Sequence, residues 1–117
     1  MKILLIINDA PYGTEKAYNA LRIAMTFQRE QEDAEIRIFL MSDAVTCALP
    51  DQTTPEGYYN IERMVKAIIN KGGKVKMCGA CMKARGLKNL KLIDGAEPSS
   101  MSELRQLIAD SDKVISF

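Results

Sequence analysis

The segment Lys76-Met77-Cys78-Gly79-Ala80-Cys81-Met82-Lys83-Ala84-Arg85-Gly86 sets two thiols three residues apart, where an apolar run gives way to a helical pattern. A thiolate is a nucleophile, so a cysteine in such a place is positioned to do chemistry. At a strand-to-helix junction Cys78 meets unpaired N–H groups and the positive end of a helix dipole, with Lys76, Lys83 and Arg85 close in sequence. This environment predicts a lowered thiol pKa for Cys78. The surroundings are charge-polarised: seven Lys or Arg residues lie between Lys71 and Lys91, and all 15 acidic residues lie outside that stretch. Such a local positive field suits an anionic or acidic visitor. Free cysteines are also commonly buried as small apolar residues. Charge and position favour the functional reading for Cys78, whereas Cys81, one turn into the helix, stays open between the two.

Other chemistries are narrowed by composition. The chain has no histidine, which removes Ser-His-Asp and Cys-His nucleophile arrangements and any His-containing zinc site. A Cys-only metal site needs four thiolates, and a single C-x-x-C supplies two, so no metal is expected. Gly72-Gly73 matches neither a Walker loop nor G-x-G-x-x-G and reads as a turn, so no nucleotide or other cofactor is expected. A net charge of +1 gives no general reason to expect nucleic acid. The opening run Met1 to Ile7 meets Asn8-Asp9 at once, too early for a signal peptide or membrane helix. The expectation is a cytoplasmic protein without membrane association. In that compartment C-x-x-C spacing favours catalytic or redox use over a structural disulfide framework, and Cys47 is left without an obvious partner.

The 117 residues, 47% of them apolar, suffice for one domain over residues 1–117. Lys2 to Ile7, Ala34 to Leu40, Lys74 to Met77 and Lys113 to Phe117 are short Ile- and Val-rich runs of strand length. Thr14 to Gln31 places Ala17, Ala20, Leu21 and Ala24 on one helical stripe that breaks near Gln28, and Tyr58 to Asn70 does the same with Ile61, Met64, Val65 and Ile68. Lys71-Gly72-Gly73 stops that second helix. A further helix begins after Pro98, where Ser100 and Glu103 have capping-box spacing and the Ser99-Ser100 pair reads as the cap. Met25 and Met64 read as core, Met77 and Met82 as a soft lining of the thiol crevice, and Tyr58-Tyr59 as interface or core. Alternating strands and helices predict an α/β fold, a mostly parallel sheet with helices on both faces and right-handed crossovers. Cys47 to Gly57, with two prolines and a polar run, reads as a mobile loop.

In open α/β sheets the functional crevice lies beyond the carboxyl ends of the strands. Three segments converge there on this reading: Asn8 to Gly13, Ser42 to Gly57, and Cys78 to Arg85. The first of them offers Asp9, the Tyr12 hydroxyl and backbone donors at a helix start. It also reads simply as a Pro-Gly turn with Thr14 as the helix cap. Asp9, Tyr12, Gly79 and Arg85 are accordingly the binding candidates beside Cys78 and Cys81.

The chain resembles the DsrE/DsrF-like family over essentially its whole length. The likeness rests on the opening strand followed by Asn8-Asp9-x-Pro11-Tyr12-Gly13-Thr14-Glu15, then the second strand, a variable loop and helix, and Val75 to Gly86. The family's reactive cysteine stands just after the third strand, before an Arg-Gly pair, and Cys78 with Arg85-Gly86 matches that pattern. Cys81 departs from the sulfur-relay subunits of the family and resembles its C-x-x-C members. The resemblance implies a three-layer sheet of about five strands and a sulfur carrier. In that role Cys78 takes sulfane sulfur from a donor protein, holds it as a persulfide and passes it to an acceptor protein. It also implies a homo-oligomer, as a dimer, trimer or hexamer. Two other readings stand beside it: a thiol-disulfide redox protein or sensor using Cys78 and Cys81, and an assembly subunit without chemistry of its own.

Overall fold

A computed structural model describes all residues, Met1–Phe117. The elements follow in the order β1 (Lys2–Ile7), α1 (Lys16–Glu30), β2 (Glu35–Leu40), a 3₁₀ helix (Ser42–Ala48), α2 (Ile61–Asn70), β3 (Lys74–Cys78), α3 (Gly79–Ala84), β4 (Ala96–Ser99), α4 (Met101–Ala109) and β5 (Lys113–Ser116). The strands form one five-stranded sheet in the order β4-β3-β2-β1-β5, and every pairing is parallel. The fold is therefore α/β, as the alternation of patterns predicts.

The cause lies in the central strands. Ile3, Leu4, Leu5 and Ile7 of β1 and Phe39 and Leu40 of β2 are fully buried, and a strand apolar on both faces is stable only with cover on both. From β1 to β2 to β3 to β4 the chain steps one way across the sheet. Right-handed crossovers then put α1 and α2, which pack on each other, on one face. The return from β4 over the whole sheet to β5 sends α4 across the other. Ala17, Ala20, Leu21 and Ala24 are the buried stripe of α1, and small residues there let the helix lie close to the sheet.

The helix boundaries are chemical. Asn60 caps α2 by accepting the Arg63 N–H at 3.0 Å, and Ser100 caps α4 by accepting the Glu103 N–H at 3.2 Å. Gly72 turns out of α2 at φ +88°, and a Cβ on Gly73 would stand 2.5 Å from Ile68 Cγ2, so the Gly-Gly pair is a turn required by both backbone and space. Thr14 stands one residue before the N-cap position of α1, which is Glu15 and makes no side-chain cap. The Thr14 hydroxyl nevertheless accepts the Lys16 N–H at 3.4 Å and donates to Asp9 at 2.8 Å.

Three further expectations need correction. Ala96–Ser99 is a strand, so of the Ser99-Ser100 pair only Ser100 caps. Pro98 is tolerated in it because β4 is an edge strand with one unpaired side. The supposed mobile loop from Cys47 begins inside the 3₁₀ helix, and its next residues are tied down. Gln52 donates to Cys47 O at 3.1 Å and Leu49 O at 2.9 Å, and its own N–H donates to Glu62 at 2.8 Å. Met25 and Met64 are half-buried against the core rather than within it.

Arg37 interrupts the apolar run of β2 and is only 9% exposed. A buried guanidinium must be paired, and it donates to Asp110 at 2.9 Å and to Ser111. Asp110 also takes Lys2 Nζ at 3.0 Å. Lys2 first and Arg37 second hold the Asp110 carboxyl below its ordinary value. Because the folded value is the depressed one, this contribution is present above the ordinary Asp pKa of about 3.9 and is lost as pH falls through the folded value. Asp110→Asn should therefore unfold at lower temperature than wild type near neutral pH, with the gap closing on acidification below that range. A gap independent of pH across a thermal denaturation series contradicts this assignment.

Candidate functional site

The loops at the carboxyl ends of β1, β2 and β3 do converge. The Cys47 thiol lies 4.0 Å from Asp9 O, joining the first loop to the 3₁₀ helix. Arg85 Nε donates to Asp43 at 2.8 Å and Arg85 Nη1 donates to Cys81 O at 3.1 Å, joining that helix to α3. Arg85 is thus a clamp on the backbone of the C-x-x-C turn. Gly86 at φ +71° ends α3, with the Leu87 N–H returning to Met82 O at 2.9 Å. The Arg-Gly pair is explained by these two tasks, a clamp and a helix stop.

Cys78 is the last residue of β3 and the N-cap of α3, 4% exposed. Its sulfur accepts the Cys81 N–H at 3.3 Å, in the position a Ser or Asp oxygen takes in an ordinary cap. Gly79 follows because space is short: a Cβ there would stand 3.1 Å from Ser99 O of the neighbouring strand. Cys81 is half-buried, while Met77 and Met82 are buried around the pair. The arrangement offers a nucleophile that already has a donor aimed at its sulfur, and a second thiol one turn on.

The expected lowering of the Cys78 pKa is not found. Burial, as the largest cause, pushes this thiol above the ordinary cysteine value, and the neighbouring Cys81 side chain raises it further. The N–H groups of Cys81 and Ala80 act in the lowering direction but do not win. No cation is among the causes that act on this thiol, and two of the three nearest in sequence are already engaged. Lys76 Nζ pairs with Glu97 at 3.3 Å and Glu103 at 3.2 Å, and Arg85 pairs with Asp43. Of the cations in the basic stretch, Lys76 and Arg85 are thus neutralised by acidic residues from distant segments, while Lys71, Lys74, Lys83, Lys88 and Lys91 make no salt bridge.

No hydrogen bond links Asp9 or Tyr12 to Cys78, Cys81 or Arg85; the one thiol in contact with Asp9 is Cys47. The Tyr12 hydroxyl donates to Gln52 at 2.8 Å and accepts the Ile61 N–H at 3.1 Å, which fixes the start of α2. Its ring belongs to an aromatic stack in which Tyr18 and Tyr59 are 4.1 Å apart and Tyr58 and Tyr59 are 4.4 Å apart. Sequence reasoning missed Asp43, Gln52 and Ser99. Asp43 carried a signal, an acid in the first turn after a strand; Gln52 carried none.

The large concavities lie elsewhere. A groove of about 670 Å³ runs along the outer side of α1 past Arg22, Ile23 and Phe27. Another, of about 550 Å³, lies at the amino-terminal pole of the sheet beside Lys2, Arg37 and Lys74. Cys47 is fully buried, and burial pushes its thiol up to about 12. Native-state alkylation with iodoacetamide should consequently modify Cys81 first. Cys78 should follow more slowly, at a rate that is still climbing with pH past the ordinary thiol pKa of about 8.5, where an unperturbed thiol levels off. Cys47 should react only on unfolding. Fast labelling of Cys78 at pH 7, read by peptide mass spectrometry, is incompatible with this order.

Comparison with known proteins gives the same pattern at full length. The sequence profile of the DsrE/DsrF-like family matches residues 1–117. Protein YchN of Escherichia coli K12 is 41% identical over 116 residues, covering 99% of this chain and 98% of that protein. An uncharacterized protein of Methanocaldococcus jannaschii is 43% identical over 117 residues, covering 100% of both. The crystal structure of the E. coli YchN protein superposes with a TM-score of 0.94 over 99% of this chain and 98% of that one. A protein of unknown function from Methanobacterium thermoautotrophicum shares the fold at a TM-score of 0.79 and 14% identity, again over 99% and 98%. With the cysteine turn, the Arg-Gly clamp and the parallel sheet all in place, the chain belongs to the DsrE/DsrF-like family.

Proposed function

We propose that the protein is a cytoplasmic sulfur-relay carrier in which Cys78 holds sulfane sulfur as a persulfide between a donor and an acceptor protein. The observation that carries this reading is the N-cap position of the Cys78 sulfur, which accepts the Cys81 N–H at the carboxyl end of β3. Family membership supports it. A raised pKa keeps the resting thiol neutral and protected, while the N–H donors are preorganised for the charged sulfur that forms during transfer. Transfer begins with thiolate attack, and strongly acidic thiols are the weaker nucleophiles, so a lowered pKa is not a requirement.

A second reading is favoured by one specific feature. Cys81 is half-buried, one turn beyond Cys78 and in contact with it through its N–H. Its thiol can attack the inner sulfur of a Cys78 persulfide, forming a Cys78–Cys81 disulfide and releasing the outer sulfur as hydrosulfide. On this reading the pair is a dithiol redox couple or sensor and Cys81 is its resolving thiol. Assembly as a homo-oligomer is part of either proposal. Met101 and Ile108 of α4 and Val114 of β5 are exposed at 54%, 44% and 43%, on the side where one short helix covers the sheet.

Intact-protein mass spectrometry after incubation with a persulfide donor separates these readings. The carrier predicts a gain of one sulfur in wild type, absent in Cys78→Ser and longer-lived in Cys81→Ser. A loss of two hydrogens that needs both cysteines, with no retained sulfur, favours the redox couple. No change in any variant leaves the assembly role and removes both chemical readings.

A further inference from the structure

Three side-chain polar atoms are buried without a hydrogen-bond partner: Gln28 Oε1, Arg37 Nε and Ser99 Oγ. Gln28 and Arg37 make other bonds through their remaining atoms, to Ile68 O and to Asp110 and Ser111, at the amino-terminal pole of the sheet. Ser99 is different. Its hydroxyl makes no bond at all, and it sits at the opposite pole in register with Cys78. Register partners on parallel strands present their side chains to the same face of the sheet. The Lys76–Glu97 ion pair, two residues earlier on the same two strands, shows that shared face directly. The strands are also close here, since the Ser99 carbonyl is the atom a Cβ on Gly79 would meet. The cap of α4 is Ser100, so Ser99 is not needed to start that helix.

A buried hydroxyl with no partner is rare and unfavourable, and asks what would satisfy it. We propose that Ser99 Oγ is a binding group for the outer sulfur of the Cys78 persulfide; this rests on the sulfur-carrier reading. In the loading step the Cys78 thiolate attacks the outer sulfur of a donor persulfide. A bond forms between Cys78 Sγ and that sulfur, the donor's own S–S bond breaks, and the donor leaves as a thiolate with the electron pair. The thiol proton goes to water, and no net oxidation occurs. The new sulfur extends the side chain by about 2 Å, the length of an S–S bond. That extension brings a new partner toward a hydroxyl that makes no hydrogen bond to Cys78 Sγ in the unloaded protein. A serine hydroxyl can donate to the outer sulfur when it is anionic and accept from it when it is protonated, so it serves both forms. Ser99 thereby gives the loaded state a bond that the empty state lacks.

The test compares wild type, Ser99→Ala and Ser99→Thr, each loaded with glutathione persulfide and followed by intact mass over time, with thermal unfolding of the unloaded proteins alongside. Removing an unbonded hydroxyl should leave the unfolding temperature of Ser99→Ala unchanged or raised. Its persulfide should be lost about tenfold faster than that of wild type, the scale of one hydrogen bond to a charged group. Ser99→Thr, which keeps the hydroxyl, should retain sulfur as wild type does. Equal lifetimes in wild type and Ser99→Ala overturn the role of Ser99 and leave the carrier reading intact. Equal losses in the Ala and Thr variants, or a lowered unfolding temperature for Ser99→Ala, also overturn it by pointing to packing. A wild-type protein that never gains sulfur at Cys78 removes the carrier reading and this inference together.

Discussion

The structure depends on one constraint, that strands β1 and β2 are apolar on both faces. Burying side chains such as Leu5 and Phe39 is worth about 1.5–3 kcal/mol each, but only if helices cover the sheet on both sides. Covering both sides with short connections requires parallel strands and one-way crossovers. Parallel strands in turn send every strand-to-helix loop to the same edge. The convergence of the Asp9 loop, the 3₁₀ helix and the Cys78 turn is therefore a consequence of core burial rather than a separate invention. The aliphatic character of residues far from the thiols decides where the thiols stand.

At that edge, short-range geometry outweighs the long-range field. The basic cluster from Lys71 to Lys91 looks like an activating environment along the chain, but Lys76 is bound by Glu97 and Glu103, and Arg85 by Asp43. What remains at Cys78 is burial, reinforced by the Cys81 side chain and opposed by two N–H groups, and burial wins in the resting state. On the proposed reading this balance is useful. A neutral buried thiol resists stray oxidation, while the same N–H groups support the negative sulfur present during transfer. Arg85 takes part by holding the Cys81 carbonyl, and so the orientation of the turn, rather than by lending charge.

Much of the architecture was legible because it is written in periodicity. The aliphatic runs, the α1 stripe of Ala17, Ala20, Leu21 and Ala24, the Ser100 cap and the Gly72-Gly73 turn are local signals. The strand Ala96–Ser99 was not legible, since four residues with a glutamate and a proline carry no strand pattern, and only their place at a sheet edge makes them a strand. The pKa direction at Cys78 was misread for a related reason. Sequence shows which charges are near along the chain, but their partners, Asp43, Glu97 and Glu103, come from other elements. Tyr12 was singled out by residue type, and its hydroxyl proves to be engaged by Gln52 and the start of α2. Ser99 was read only as part of the helix cap, because a missing hydrogen bond is a property of the folded chain.

The central claim, that Cys78 is the sulfur-holding atom and Cys81 its neighbour, is tested most directly by locating the added sulfur within wild-type protein. After brief exposure to a persulfide donor and alkylation of all free thiols, tandem mass spectrometry of the peptide spanning Cys78 and Cys81 reads both positions at once. The account predicts the extra sulfur on Cys78, with Cys81 alkylated as an unmodified thiol. Extra sulfur on Cys81 with Cys78 unmodified contradicts it.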